Sequence, residues 1–176
     1  LDLNLLNDPN EFLSPLLLVI GTAGSEMIAE PGGIKELILL GGQGNDQIIG
    51  GQNNDTINGG DGSDTLDGGP GADTYIIHFY DGDSAHPIEG WIDVIEDGSG
   101  SNTILLDGSV LLDPFGPVEY ILSNGALEIA SNPSTDPNGI EQGVIVSDVT
   151  DIEYLTYGDS SYHISADGIA MGSDQD

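Results

Sequence analysis

A nine-residue beat runs through residues 41–76 without a slip: GGQGNDQII, GGQNNDTIN, GGDGSDTLD, GGPGADTYI. Each unit opens on Gly-Gly, carries Asp at its sixth place and a large apolar residue at its eighth. Helices repeat every 3.6 residues and strands every two, so neither element alone needs a period of nine. A longer fixed period means one turn-and-strand unit stacked on copies of itself. Within each unit the first six residues are turn formers, because glycines reach backbone angles closed to other residues and leave carbonyl oxygens free. The last three end a short strand. Ile48, Ile57, Leu66 and Tyr75, at the eighth places, point one way into a thin core. A Gly-rich linker would not keep Asp and an apolar residue in phase over such a span.

If successive units alternate between two sides, a full coil takes two of them. Asp46 and Asp64 then stack along one edge, and Asp55 and Asp73 along the other. Each gap between stacked turns offers carboxylates together with carbonyls of the glycine-rich turns: Gly42, Gly44, Gly51, Asn53, Gly60, Gly62, Gly69 and Gly71. Asn53 replaces glycine at the fourth place of the second unit and also tolerates left-handed angles. An all-oxygen cage suits a hard cation of flexible coordination, which is calcium, and the repeat predicts several such ions. Magnesium wants a tighter octahedron with retained waters, and zinc prefers nitrogen or sulfur. Binding and folding should be coupled, because stacked carboxylates repel until they are neutralised.

Composition points the same way. One basic residue, Lys35, stands against 31 acids, for a net charge of −30. Such a surface repels nucleic acid and anionic lipid and should fold poorly without counterions. A disordered acidic chain is argued against by the 38% of apolar residues. Nineteen of the 31 acids follow residue 76, so most are read as a solvated face rather than as ligands. Cysteine is absent, which excludes disulfides and thiolate metal sites. The run LLLVI (16–20) is too short to span a bilayer. The sequence opens on Leu1, as expected of a piece of something longer.

The array resembles the RTX (repeats-in-toxin) family of haemolysin-type calcium-binding repeats. The likeness extends beyond it in ADTYIIHFYDGD (72–83), IDVIEDGSGSNTILL (92–106) and DIEYLTYGDSSYHI (151–164), which follow the order of RTX flanking segments. The resemblance implies an all-β fold: a calcium-bound parallel β-roll with a β-rich C-terminal cap that nucleates folding. On that frame residues 1–20 are an N-terminal capping segment, 21–80 the roll with strict repeats at 41–76, 81–164 the cap and 165–176 a tail. It also implies export of an unfolded chain through a type I secretion apparatus, and a secreted or cell-surface place in a bacterium. Asp81 and Asp83, with Asp93, flank the roll's end and are candidates for a further ion. Glu26 and Glu36 in the damaged repeats, and Asn102 where Asp is expected, speak against calcium at those places.

No catalytic constellation emerges. His78, His86 and His163 have no metal-site spacing, and no G-x-S-x-G frames a serine. Asp8-Pro9, Asp113-Pro114 and Asp136-Pro137 lie in turn-like contexts where such pairs are common. Trp91, Tyr154, Tyr157 and Tyr162 are read as core packing, with a glycan- or peptide-binding platform as the alternative. A third reading makes the chain a non-catalytic appendage of a secreted enzyme. Downstream of the array, short β-rich runs dominate, and Asn124-Gly125 is a hairpin signal.

Overall fold

The computed structural model describes residues 16–29, 35–78, 91–97, 99–107, 118–123, 126–131, 142–147, 152–157, 160–165 and 168–170. Every regular element among them is a strand. Seven belong to the repeats and their approach: β1 (Leu16–Ile20), β2 (Met27–Ala29), β3 (Glu36–Gln43), β4 (Gln47–Ile49), β5 (Thr56–Asp61), β6 (Thr65–Asp67) and β7 (Thr74–His78). Eight follow: β8 (Trp91–Ile95), β9 (Asn102–Asp107), β10 (Val118–Ser123), β11 (Ala126–Ser131), β12 (Gln142–Val146), β13 (Ile152–Tyr157), β14 (Ser160–Ser165) and β15 (Gly168–Ala170).

Consecutive strands of the array fall in different sheets. One sheet has the order β1-β3-β5-β7-β9-β13-β14-β15 and the other β10-β11-β12-β8-β6-β4-β2. A coil is therefore one strand from each sheet, and the two-units-per-coil expectation holds: Ile48 pairs with Leu66 and Ile57 with Tyr75, both in parallel. This is a solenoid of mostly parallel strands.

Strand alternation explains why nine residues suffice per side. From the sixth place onward every second residue faces inward, so the interior receives Asp, then the apolar residue, then the first glycine of the next unit. Asp55, Ile57 and Gly59 are buried in that order while Thr56, Asn58 and Gly60 stay half-exposed. Ile48, Ile57, Leu66 and Tyr75 are fully buried and form one cluster with Leu37, Leu39 and Ile28 on earlier strands. Each such side chain contributes roughly 1.5–3 kcal/mol on leaving water.

The parallel stack does not stop at the array. β8 pairs with β6, β9 with β7, β12 with β8 and β13 with β9, all in parallel. The core follows through Ile95, Ile104, Val144, Ile152 and Leu155. Each sheet then closes on antiparallel strands. β11 and β10 add to β12, with Ser123 paired to Ala126, while Asn124-Gly125 lies outside the described residues; β14 and β15 add to β13. The β-rich runs read downstream of the array are thus β9 to β13. Gly168–Ala170, read as tail, pairs with β14. At the opposite end, β1 lies along β3 and leaves Leu16, Leu18 and Ile20 exposed on its outer face.

Candidate metal centre

The turns that join the two sheets set out the sixth-position carboxylates in two columns. Asp46, Asp64 and Asp93 occupy equivalent places on one edge, and Asp55, Asp73 and Asn102 on the other, all of them buried. Each column is laced by hydrogen bonds that run backwards along the chain. The backbone N–H of Asp46 donates to Asp64 Oδ1 (2.8 Å), and that of Asp64 to Asp93 Oδ1 (2.9 Å). On the other edge Leu37 N–H donates to Asp55 Oδ1 (2.8 Å), Asp55 N–H to Asp73 Oδ1 (2.7 Å) and Asp73 N–H to Asn102 Oδ1 (2.8 Å).

A second set of bonds runs forwards from the fifth positions. Ser25 Oγ accepts from Asn45 N–H (2.9 Å), Asn45 Oδ1 from Ser63 N–H (3.1 Å), Ser63 Oγ from Ile92 N–H (3.1 Å) and Asn54 Oδ1 from Ala72 N–H (2.9 Å). Adjacent coils are therefore tied in both directions, and a shift of one residue breaks both sets together.

The second carboxylate oxygen is where the chemistry lies. Oδ2 of Asp46, Asp64 and Asp73 is buried and accepts no hydrogen bond within the protein. An uncompensated buried carboxylate oxygen is costly, and a structure that repeats it points to a cationic partner. These oxygens turn into the space beside the first glycine of their own turn. A Cβ on Gly59 would stand 2.1 Å from Asp64 Oδ2, and one on Gly68 would stand 2.3 Å from Asp73 Oδ2. On Gly41 it would meet Asp46 Oδ2 at 2.5 Å and the Gly59 carbonyl at 2.2 Å; on Gly50, Asp55 Oδ2 at 2.5 Å and the Gly68 carbonyl at 2.6 Å. Beside Gly41 and Gly50 a carboxylate oxygen and a carbonyl oxygen of the next coil thus converge on one small space, where a larger residue would not fit.

The other turn residues singled out by spacing stack closely on the next coil. The carbonyl oxygens of Gly42, Gly44, Gly51 and Asn53 lie 2.0, 1.9, 2.3 and 2.2 Å from where a Cβ would stand on Gly60, Gly62, Gly69 and Gly71 of the next coil. Gly60 (φ 103°) and Gly62 (φ 125°) also hold backbone angles that favour glycine. Asn53 has an added task, donating its side-chain amide to the Lys35 carbonyl (3.2 Å). Among the described residues no three His, Cys, Asp or Glu side chains meet as a metal site.

Burial of the columns disfavours negative charge when no cation is bound. It pushes Asp64 up to about 6, Asp73 to about 7 and Asp93 to about 8, and neighbouring carboxylates add to the rise in each case. Asp46 is raised for the same reasons, with Glu26 as its acidic neighbour.

The model for the RTX calcium-binding nonapeptide repeat matches residues 40–75, in four copies. This stretch is an RTX calcium-binding repeat array. No curated protein matches the chain.

Around the RTX array the remaining sequence-derived sites divide. Asp93 takes a place in the column of Asp46 and Asp64, whereas Asp81 and Asp83 lie outside the described residues, as do His86 and the three Asp-Pro pairs. Glu26 turns back onto its own turn, accepting from Thr22 N–H (2.9 Å) and the Thr22 hydroxyl, and these bonds hold its carboxyl below the usual range. Glu36 is exposed on β3. His78 sits half-buried beside the Asn58 side-chain amide, at 2.9 Å. Trp91 is buried and Tyr154 exposed; the side chains of Tyr157 and Tyr162 lie outside the described residues. Spacing did not point to Gly41, Gly50, Gly59 and Gly68 as site residues. Their inward phase, two residues beyond each apolar position, is the signal that finds them.

Proposed function

We propose that this chain is a calcium-responsive folding module of a larger secreted bacterial protein. The observation that carries the proposal is the row of buried Oδ2 atoms on Asp46, Asp64 and Asp73, each set against the first glycine of its own turn, with the Gly59 carbonyl oxygen beside that of Asp46. Bound calcium supplies the positive charge that a column of buried carboxylates lacks. Asp46, Asp55, Asp64 and Asp73 would hold it together with carbonyls of the turns, including those of Gly42, Gly44, Gly51, Asn53 and Gly59. Where calcium is scarce the acid-rich chain repels itself and stays open, which suits export through a type I apparatus. Where calcium is plentiful, neutralised turns close, strands stack and the hydrophobic interior forms behind them.

The reading predicts that far-UV circular dichroism changes from disordered to β-rich as calcium is added, with heat release that saturates at several ions per chain. Identical spectra in calcium and in chelator would overturn it. Among the described residues no helix is long and apolar enough to cross a membrane.

A further inference from the structure

In the sequence DGSGSN (97–102), Asp97 and residues 99–102 lie one coil beyond GGPGAD (68–73), on the same edge, with Thr74 paired to Thr103. Two of its six places depart from the repeat, and they depart reciprocally. The first glycine has become Asp97 and the sixth aspartate has become Asn102. A third departure lies nearby: the eighth position of the last array unit is Tyr75, where the other three units have Ile or Leu.

These three residues meet. Tyr75 donates its hydroxyl to Asp97 Oδ2 (2.5 Å), and Asn102 Nδ2 donates to the same oxygen (2.9 Å). Ser99 N–H donates to Asp97 Oδ1 (3.0 Å), and Gly68 N–H donates to the Tyr75 oxygen (2.7 Å). Asn102 also accepts from Asp73 N–H through Oδ1, so it keeps the backward tie of the column. Tyr75, Asp97 and Asn102 are 0%, 3% and 0% exposed, so these three side chains meet away from water, while the Ser99 N–H bond lies at the half-buried margin.

We propose that this turn is closed by hydrogen-bond donors instead of a cation, and that it forms a calcium-independent end to the array. The carboxylate is retained but moved across the turn, to a place where a phenol, a side-chain amide and a backbone amide satisfy both its oxygens. Charge-assisted bonds of this kind, in a buried setting, are among the stronger ones a protein makes. The network joins β7 to the turn between β8 and β9, and so ties the last array unit to the strands behind it. In chelator this part keeps its structure while the turns before it open. The proposal rests on the calcium reading of the four array turns, because it contrasts with them.

Hydrogen exchange of the whole chain in chelator tests it. The amides of Gly68 and Ser99 are expected to stay protected while that of Asp46 exchanges as in an open chain. Tyr75→Phe should raise exchange at Gly68 about tenfold in chelator, the loss of one buried hydrogen bond. Rebuilding the repeat with Asp97→Gly and Asn102→Asp should raise the calcium stoichiometry, measured by native mass spectrometry, by one ion. Two results would overturn the proposal: Gly68 and Ser99 amides as unprotected in chelator as that of Asp46, or one ion fewer in Asp97→Asn. If the unaltered chain binds no calcium at all, the folding-module reading fails, yet the exchange comparison with Tyr75→Phe still reports on the network.

Discussion

The two edges of the solenoid are built alike but end differently. One presents Asp46, Asp64 and Asp93, an acid at every rung; the other presents Asp55, Asp73 and then Asn102. At Asn102 an amide oxygen accepts the neighbouring backbone N–H at 2.8 Å, the same length that Asp64 achieves. The backward tie therefore needs an oxygen, not a charge. The negative charge at the other rungs must serve something else, and the only group left for it is the second carboxylate oxygen. This contrast separates the architecture of the columns from their chemistry.

Removing calcium should erase the contrast most completely. In chelator the array turns on both edges are expected to lose protection and β signal, apart from the Gly68 amide that Tyr75 holds, and only the edge that ends on Asn102 retains structure at its last turn. Next in size is the walling glycine. Gly59→Ala places a methyl 2.1 Å from Asp64 Oδ2 and should destabilise the calcium-loaded protein by about 3 kcal/mol in urea titrations, since backbone and carboxylate must both shift.

A pair of substitutions at one rung sharpens the comparison. Asp64→Asn keeps an acceptor for Asp46 N–H and should weaken calcium binding without exposing that amide in the calcium-saturated protein. Asp64→Ala loses both roles and should cost about 1–3 kcal/mol more, the penalty of an orphaned buried N–H. Equal stability of the two variants would show that the backward tie contributes nothing.

Acidity acts on both columns when metal is absent. Burial first, and neighbouring carboxylates second, raise Asp64, Asp73 and Asp93 to about 6, 7 and 8. The folded metal-free chain thus binds protons more tightly than the unfolded chain, whose carboxylates titrate near 3.8. That contribution is fully present below about pH 4 and is lost as pH rises through 6 to 8. The residual β signal in far-UV circular dichroism in chelator should accordingly be greater at pH 5 than at pH 8, with the last of the loss on the edge that carries Asp93. The smallest effect expected is from Asn54→Ala, which removes one forward tie to Ala72 and should cost about 1 kcal/mol.

Much of this was legible before any coordinates. The period of nine places the turns, the inward apolar residues and the pairing of units into coils, because each follows from strand alternation and the turn chemistry of glycine. Beyond the array the register step grows from 18 to 29 residues, as between Asp46 and Asp64 and then Asp64 and Asp93. The beat is lost there although the stack continues, so the sequence marks Asp93 as a candidate ligand and Asn102 as a place where Asp is expected, but not the column to which each belongs. The link between Tyr75 and Asp97 spans 22 residues and depends on the reach of a phenol across a coil, which no local pattern encodes. The inward face of the first glycines was hidden for a simpler reason: a residue without a side chain carries no hydropathy signal.

Stacking like charges in register, about one strand spacing or 4.8 Å apart, has a mechanical consequence. On the calcium reading proposed above, each column would behave as a compressed spring whose catch is ionic. Every rung added to such a spring increases both the recoil and the number of catches, so lengthening the solenoid should steepen its response to calcium rather than merely enlarge it.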